Sequence, residues 1–229
     1  MDVMRVLREA FPMLVYGMSV TVQVSIISLF IAVFLGLFTC LMGMSRNPVL
    51  SFISKFYIWL IRGTPLLVQV YFIYFGFPQM LQSFGIAFRF STPFSAGIVA
   101  LSLNAGAYIA ELFRGGIQAV DPGQMEAARS LGLTSNMAMF KVILPQAVRI
   151  AIPSLVNQFI ITLKDTSIIS VIGLAEIAYR AKIYIGRTME SFATWSVVAI
   201  MYLVVISVLS WLSRYVEGRL TYGDKSQGK

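Results

Sequence analysis

Long apolar stretches alternate with short polar interruptions along the chain. Runs near or above the ~20 residues that cross a bilayer as a helix recur, and their pattern predicts five spans. The first covers roughly Met18 to Met44 and is ended by Arg46-Asn47-Pro48. The second opens with a pre-segment around Phe52 to Ile61 and continues from about Pro65 to Leu81. The third runs from about Phe94 to Phe113, and the fourth between about Ile150 and Ile177, broken at Lys164-Asp165. The fifth runs from about Phe192 to Tyr215, and a polar tail, Gly218 to Lys229, is expected to fray after it. The expected fold class is all-α and polytopic, one membrane domain across residues 1–229. The opening MDVMRVLREAF is too polar, and the run after it too long, for a cleaved signal peptide, so the first span is expected to be retained.

One interruption is longer than the rest, residues 121–145. Asp121 suits an N-cap and Pro122 the first helical position, with Gln124 placed to reach back as in a capping box. Met125, Ala128 and Leu131 recur at helical spacing as one apolar face, and Gly132 stands where a left-handed residue ends a helix. Thr134 can cap a second helix, given an apolar side by Leu133, Met137 and Phe140, before Pro145 restarts the chain into the fourth span. Such an ordered pair of short helices either merely connects two spans or serves as a handle for another protein. The small Ala127-Ala128 pair permits close approach of such a partner.

Composition narrows the class. The chain is 58% hydrophobic and 12% charged with a mean hydropathy of +0.79, against about 45–50% and 25% in soluble domains. Without histidine there is no His-ligated metal site and no His proton relay, and the single Cys40 allows no intrachain disulfide. The net charge of +8 reads as basic residues of membrane-flanking loops rather than a nucleic-acid footprint. Arg46, Lys55, Arg114, Arg129, Lys141, Arg149, Arg214, Arg219, Lys225 and Lys229 fall on one side of a five-span chain; Arg5, Arg8, Arg89, Arg180, Lys182 and Arg187 fall on the other. The majority side is expected to be cytoplasmic, which puts the N-terminus out, the C-terminus in and the 121–145 loop in the cytoplasm.

Polar groups inside spans are costly and mark candidate sites. Lys164 and Asp165 are either a self-neutralising pair or a site for a zwitterion, Lys164 meeting a carboxylate and Asp165 an ammonium. Asn104 and Tyr108, four apart, share a helix face and serve either substrate or an interhelical hydrogen bond; Gln69 is a similar candidate. Glu111 and Arg114 are placed to pair, and Arg62-Gly63-Thr64-Pro65 reads as a kink with Thr64 as cap. No GxxxxGK[ST] phosphate loop is present, so the chain itself is not expected to bind or hydrolyse ATP.

Glu126-Ala127-Ala128, three residues, Gly132, nine residues, Val142 and then Leu144-Pro145 resembles the EAA signature of ABC importer permeases, with Val142 where Ile is usual. Arg62-Gly63-Thr64-Pro65-Leu66, Tyr108-Ile109-Ala110-Glu111, Arg114-Gly115-Gly116-Ile117 and Lys164-Asp165-Thr166-Ser167 extend the resemblance to the polar amino-acid subfamily (histidine, arginine, glutamine or glutamate type), over roughly Tyr16 to Arg219. The resemblance implies a type I permease fold in the cytoplasmic membrane. It implies an ATPase-coupling loop built on Glu126, Ala127, Ala128, Gly132, Leu144 and Pro145, and a gating contribution from Arg62, Thr64 and Pro65. It also implies two ATPase subunits that use ATP and Mg, an extracytoplasmic substrate-binding protein, a second permease copy or paralogue, and a polar amino acid as cargo. An ABC permease for another small solute stays open, as do a channel component and a gradient-driven carrier using Asp165 and Glu111.

Overall fold

The computed structural model of the chain describes residues 3–225. Helices α1 (Val3–Glu9), α2 (Phe11–Gly43), α3 (Pro48–Arg62), α4 (Leu66–Tyr71) and α5 (Phe77–Ser83) come first. They are followed by α6 (Pro93–Gln118), α7 (Pro122–Ser130), α8 (Ser135–Ala138), α9 (Leu144–Ile169), α10 (Ile177–Thr188) and α11 (Ser191–Lys225). Four described helices are long and apolar enough to cross a membrane, and α3 with α4–α5 makes a fifth candidate, bent by 107°. The last helix continues through Lys225, into the segment expected as a tail; residues 226–229 lie outside the described residues.

α2 shows how a nearly all-apolar helix chooses its inner face. Its buried positions include Gly17, Thr21, Ser25, Ser28, Ala32, Gly36 and Cys40, spaced by three or four residues. Its exposed positions include Phe30, Phe34 and Phe38. Lipid is as apolar as Phe, so large side chains gain nothing by turning inward, whereas small ones let backbones approach. This stripe lies along α6, which buries Gly97, Ala100, Ala105, Gly106 and Ala110. Ser102 ties this seam by donating to the Ser28 carbonyl (3.2 Å), and from α3 Ser54 donates to the Thr39 carbonyl of α2 (2.7 Å) and Tyr57 to the Leu103 carbonyl of α6 (2.6 Å).

Two of the prolines within helical rods, Pro78 and Pro145, are accommodated alike. Phe72–Gly76 and Met139–Ile143 are π turns, each followed by one residue and then Pro78 or Pro145. The amides of Phe77 and Leu144 reach back five residues, to Phe72 and Met139. The widened turn makes room for a ring that would otherwise press on the carbonyl four residues back. Pro145 therefore does not restart the chain: α8, the π turn, α9 and a closing 3₁₀ turn form one rod, Ser135–Ile172.

That rod also passes unbroken through Lys164-Asp165, contrary to the break expected there. Charge does not interrupt a helix; loss of backbone hydrogen bonds does, and the rod ends only at Gly173, with φ 89°. The break after α3 is real but is stabilised differently from expectation. Thr64 does not cap the next helix; its hydroxyl donates back to the Leu60 carbonyl (2.8 Å). The Gln69 amide donates to the Ile61 carbonyl (2.7 Å) and to both oxygens of Thr64 (2.9 Å each). It thereby satisfies acceptors that the bend strands.

Candidate functional site

A cavity of about 520 Å³ opens at this bend. Arg62, Gly63, Thr64, Pro65 and Leu66 form one wall, Asn104 and Tyr108 of α6 another, and Gln158, Ile161 and Asp165 of α9 the third. Asn104 and Tyr108 share a face as expected. So do Gln158 and Asp165, two turns apart.

Its electrostatics are simple. Arg62 lies 5.4 Å from the Tyr108 ring centre and 3.5 Å from the Glu111 carboxylate. Glu111 in turn accepts from Arg114 Nε at 3.0 Å, so the expected Glu111–Arg114 pair forms and also holds Arg62 from behind. Asp165 forms no ion pair among the described residues. Lys164 is exposed and does not line the cavity, because adjacent helix positions point about 100° apart. Gln69 also lies outside the lining. Its side-chain oxygen accepts from Asn104 Nδ2 (2.9 Å), which fixes Asn104 at the cavity wall.

Two buried polar residues escaped the sequence reading. Gln158 is 6% exposed, and its signal was the Asn157-Gln158 carboxamide pair, with Gln158 two turns before Asp165. Glu176 is fully buried and caps α10, accepting from the Tyr179 amide at 2.7 Å, beside Thr21 of α2. Burial pushes its carboxyl above the usual range. Its signal was one acid in an apolar stretch.

The polar loop forms a second feature. Asp121 accepts from the Gly123 amide at 2.7 Å, and Thr134 from that of Met137 at 3.3 Å, so both caps are as expected. The capping box is not formed; Gln124 instead accepts from Gln146 (3.4 Å). α7 ends in a Schellman turn: Leu133 donates to the Ala128 carbonyl and Gly132, at φ 86°, to that of Arg129. Ala128 is buried against the chain itself, while Glu126 and Ala127 are exposed. Leu131 departs from the expected inward face: it is 85% exposed although its amide still donates to the Ala127 carbonyl at 3.0 Å. Phe140 and Met137 are exposed nearby.

Apolar helices around a charged cavity, with an ordered polar loop at one end, define a polytopic membrane transport component. Residues 32–222 match the family of binding-protein-dependent transport system inner membrane components, and the chain belongs to that family. It is 36% identical to the glutamine transport system permease protein GlnP of Escherichia coli (strain K12) over 211 residues, 92% of this chain and 94% of that protein. It is similar to a solved amino acid ABC transporter, with a TM-score of 0.87 and 41% identity over 96% of this chain and 99% of that one. The MetNI methionine transporter in an inward-facing form shares the fold, with a TM-score of 0.77 at 17% identity over 92% of this chain and 97% of that one.

Proposed function

We propose that this chain is the membrane-spanning subunit of an ATP-driven importer that carries a polar amino acid by alternating access. One observation carries the reading. The rod Ser135–Ile172 begins at the exposed loop and carries Gln158, Ile161 and Asp165 into the cavity. A push on the loop therefore moves a cavity wall directly. Glu126, Ala127 and Leu131 offer the outward surface for an ATPase partner, and Gly132 sets the turn that presents them. Ala128, Leu144 and Pro145 shape the loop from within.

In the cavity, Arg62 receives the substrate carboxylate and Asp165 the ammonium; Lys164 drops out of this role. A volume of about 520 Å³ falls within the ~300–1,000 Å³ of small-molecule sites. Asn104 and Tyr108 complete the wall. Glu111 and Arg114 hold Arg62, while Thr64 and Pro65 let α4 pivot. The N-terminus faces out and the loop the cytoplasm. A second permease copy or paralogue, two ATPase subunits using ATP and Mg, and an extracytoplasmic binding protein complete the assembly.

The test is uptake into proteoliposomes containing the whole assembly. Accumulation of labelled glutamine, arginine, histidine or glutamate that requires enclosed-side ATP supports the reading. Accumulation driven by a proton or sodium gradient without ATP overturns it.

A further inference from the structure

We propose that Gln158 reads the side chain of the transported amino acid and restricts this site to side chains without net charge. The inference rests on the amino-acid importer reading above and deepens it. It starts from an imbalance: Gln158 is 6% exposed, yet its carboxamide forms no hydrogen bond among the described residues. Its backbone carbonyl accepts from Thr162 (2.9 Å), so the main chain is satisfied and the side chain is not. The carboxamide is not sealed off, for among the described residues only the Tyr202 hydroxyl is buried without a partner; the Gln158 amide is a donor and acceptor left open at the cavity wall. Gln158 lines the cavity, so a molecule bound there meets that amide.

The charges around it set what that molecule can be. Arg62 and Asp165 are the charged residues of the lining. The α-carboxylate and α-ammonium of an amino acid use both. A cationic or anionic side chain then finds no opposite charge and stays unpaired out of water. A carboxamide or hydroxyl instead finds Gln158, which offers donor and acceptor together. Asn104 adds one free N–H, its other being available to Gln69.

The binding protein also selects cargo, so the test omits it. Binding of ¹⁴C-glutamine, arginine and glutamate is measured on the purified permease–ATPase complex in nanodiscs. The expected result is glutamine bound at least tenfold more tightly than the other two. Gln158→Leu should weaken glutamine at least tenfold in a complex that still assembles, and Gln158→Glu should shift preference towards arginine by supplying a second carboxylate. Glutamine binding untouched by Gln158→Leu, an unaltered ranking in Gln158→Glu, or a native preference for arginine or glutamate overturns the inference and leaves the importer reading standing. A complex that binds none of the three overturns both.

Discussion

Gly132 gives the most exposed test of how the loop works. Its φ of 86° is in the left-handed region, yet a Cβ built there meets nothing within 4 Å. Any penalty for a side chain is therefore conformational, not steric. A left-handed L-residue costs roughly 1–2 kcal/mol, a factor of about 5–30 in the population of the closed turn. Asn tolerates this region better than Ala, and a β-branched residue is worst. The expected order in retained ATPase and in ATP-driven uptake is Gly, Asn, Ala, Val, with Ala about fivefold or more below Gly. Membrane insertion should not change, because a Cβ at position 132 meets nothing within 4 Å. Pull-down of the ATPase in detergent, with uptake in proteoliposomes, reads both. Equal retention across the four residues would refute the argument from φ, as would Asn falling to the level of Val.

Other sites test other parts of the account. Gly17→Ala places a Cβ 2.8 Å from the Ile177 Cα and should destabilise by about 1–3 kcal/mol. Gly115→Ala meets nothing within 4 Å and should be neutral or slightly stabilising; indistinguishable melting temperatures for the two would refute the close contact. Glu176 holds its proton to higher pH when folded, because burial raises its carboxyl. Its contribution is thus full below the unfolded value and fades as pH rises through the raised native value. Glu176→Gln keeps the cap and should flatten the fall of melting temperature across that window; an unchanged slope counts against it. On the proposed importer reading, Asp165→Asn removes one charge-assisted hydrogen bond to the substrate ammonium, worth about 1.5–3 kcal/mol, and should reduce uptake about tenfold or more at equal expression. Parallel loss of both would return Asp165 to a folding role.

The apolar runs revealed the spans because hydropathy and length act locally. Caps were legible for the same reason, since Asp121, Thr134 and Gly132 each act within three or four residues. What depends on partners distant in sequence was not. Gln69 looked like a cavity residue, but the stranded carbonyls of Ile61 and Thr64 claim its amide. Lys164-Asp165 suggested a break because charge in a span is rare, yet the helix runs through it, as it does through Pro153, where one backbone donor is missing. Gln158 carries no local signature beyond its spacing to Asp165. Only the fold shows it at the cavity wall.

The central claim is that a separate ATPase drives this chain through its polar loop. The direct measurement is affinity purification from native membranes in mild detergent, with mass spectrometry of what accompanies the chain, for the natural sequence and for Glu126→Lys. The account predicts a stoichiometric ATPase bearing a phosphate loop, lost when Glu126 becomes Lys while the membrane fraction still contains the chain. A chain that purifies alone and moves substrate on an ion gradient without ATP would contradict it.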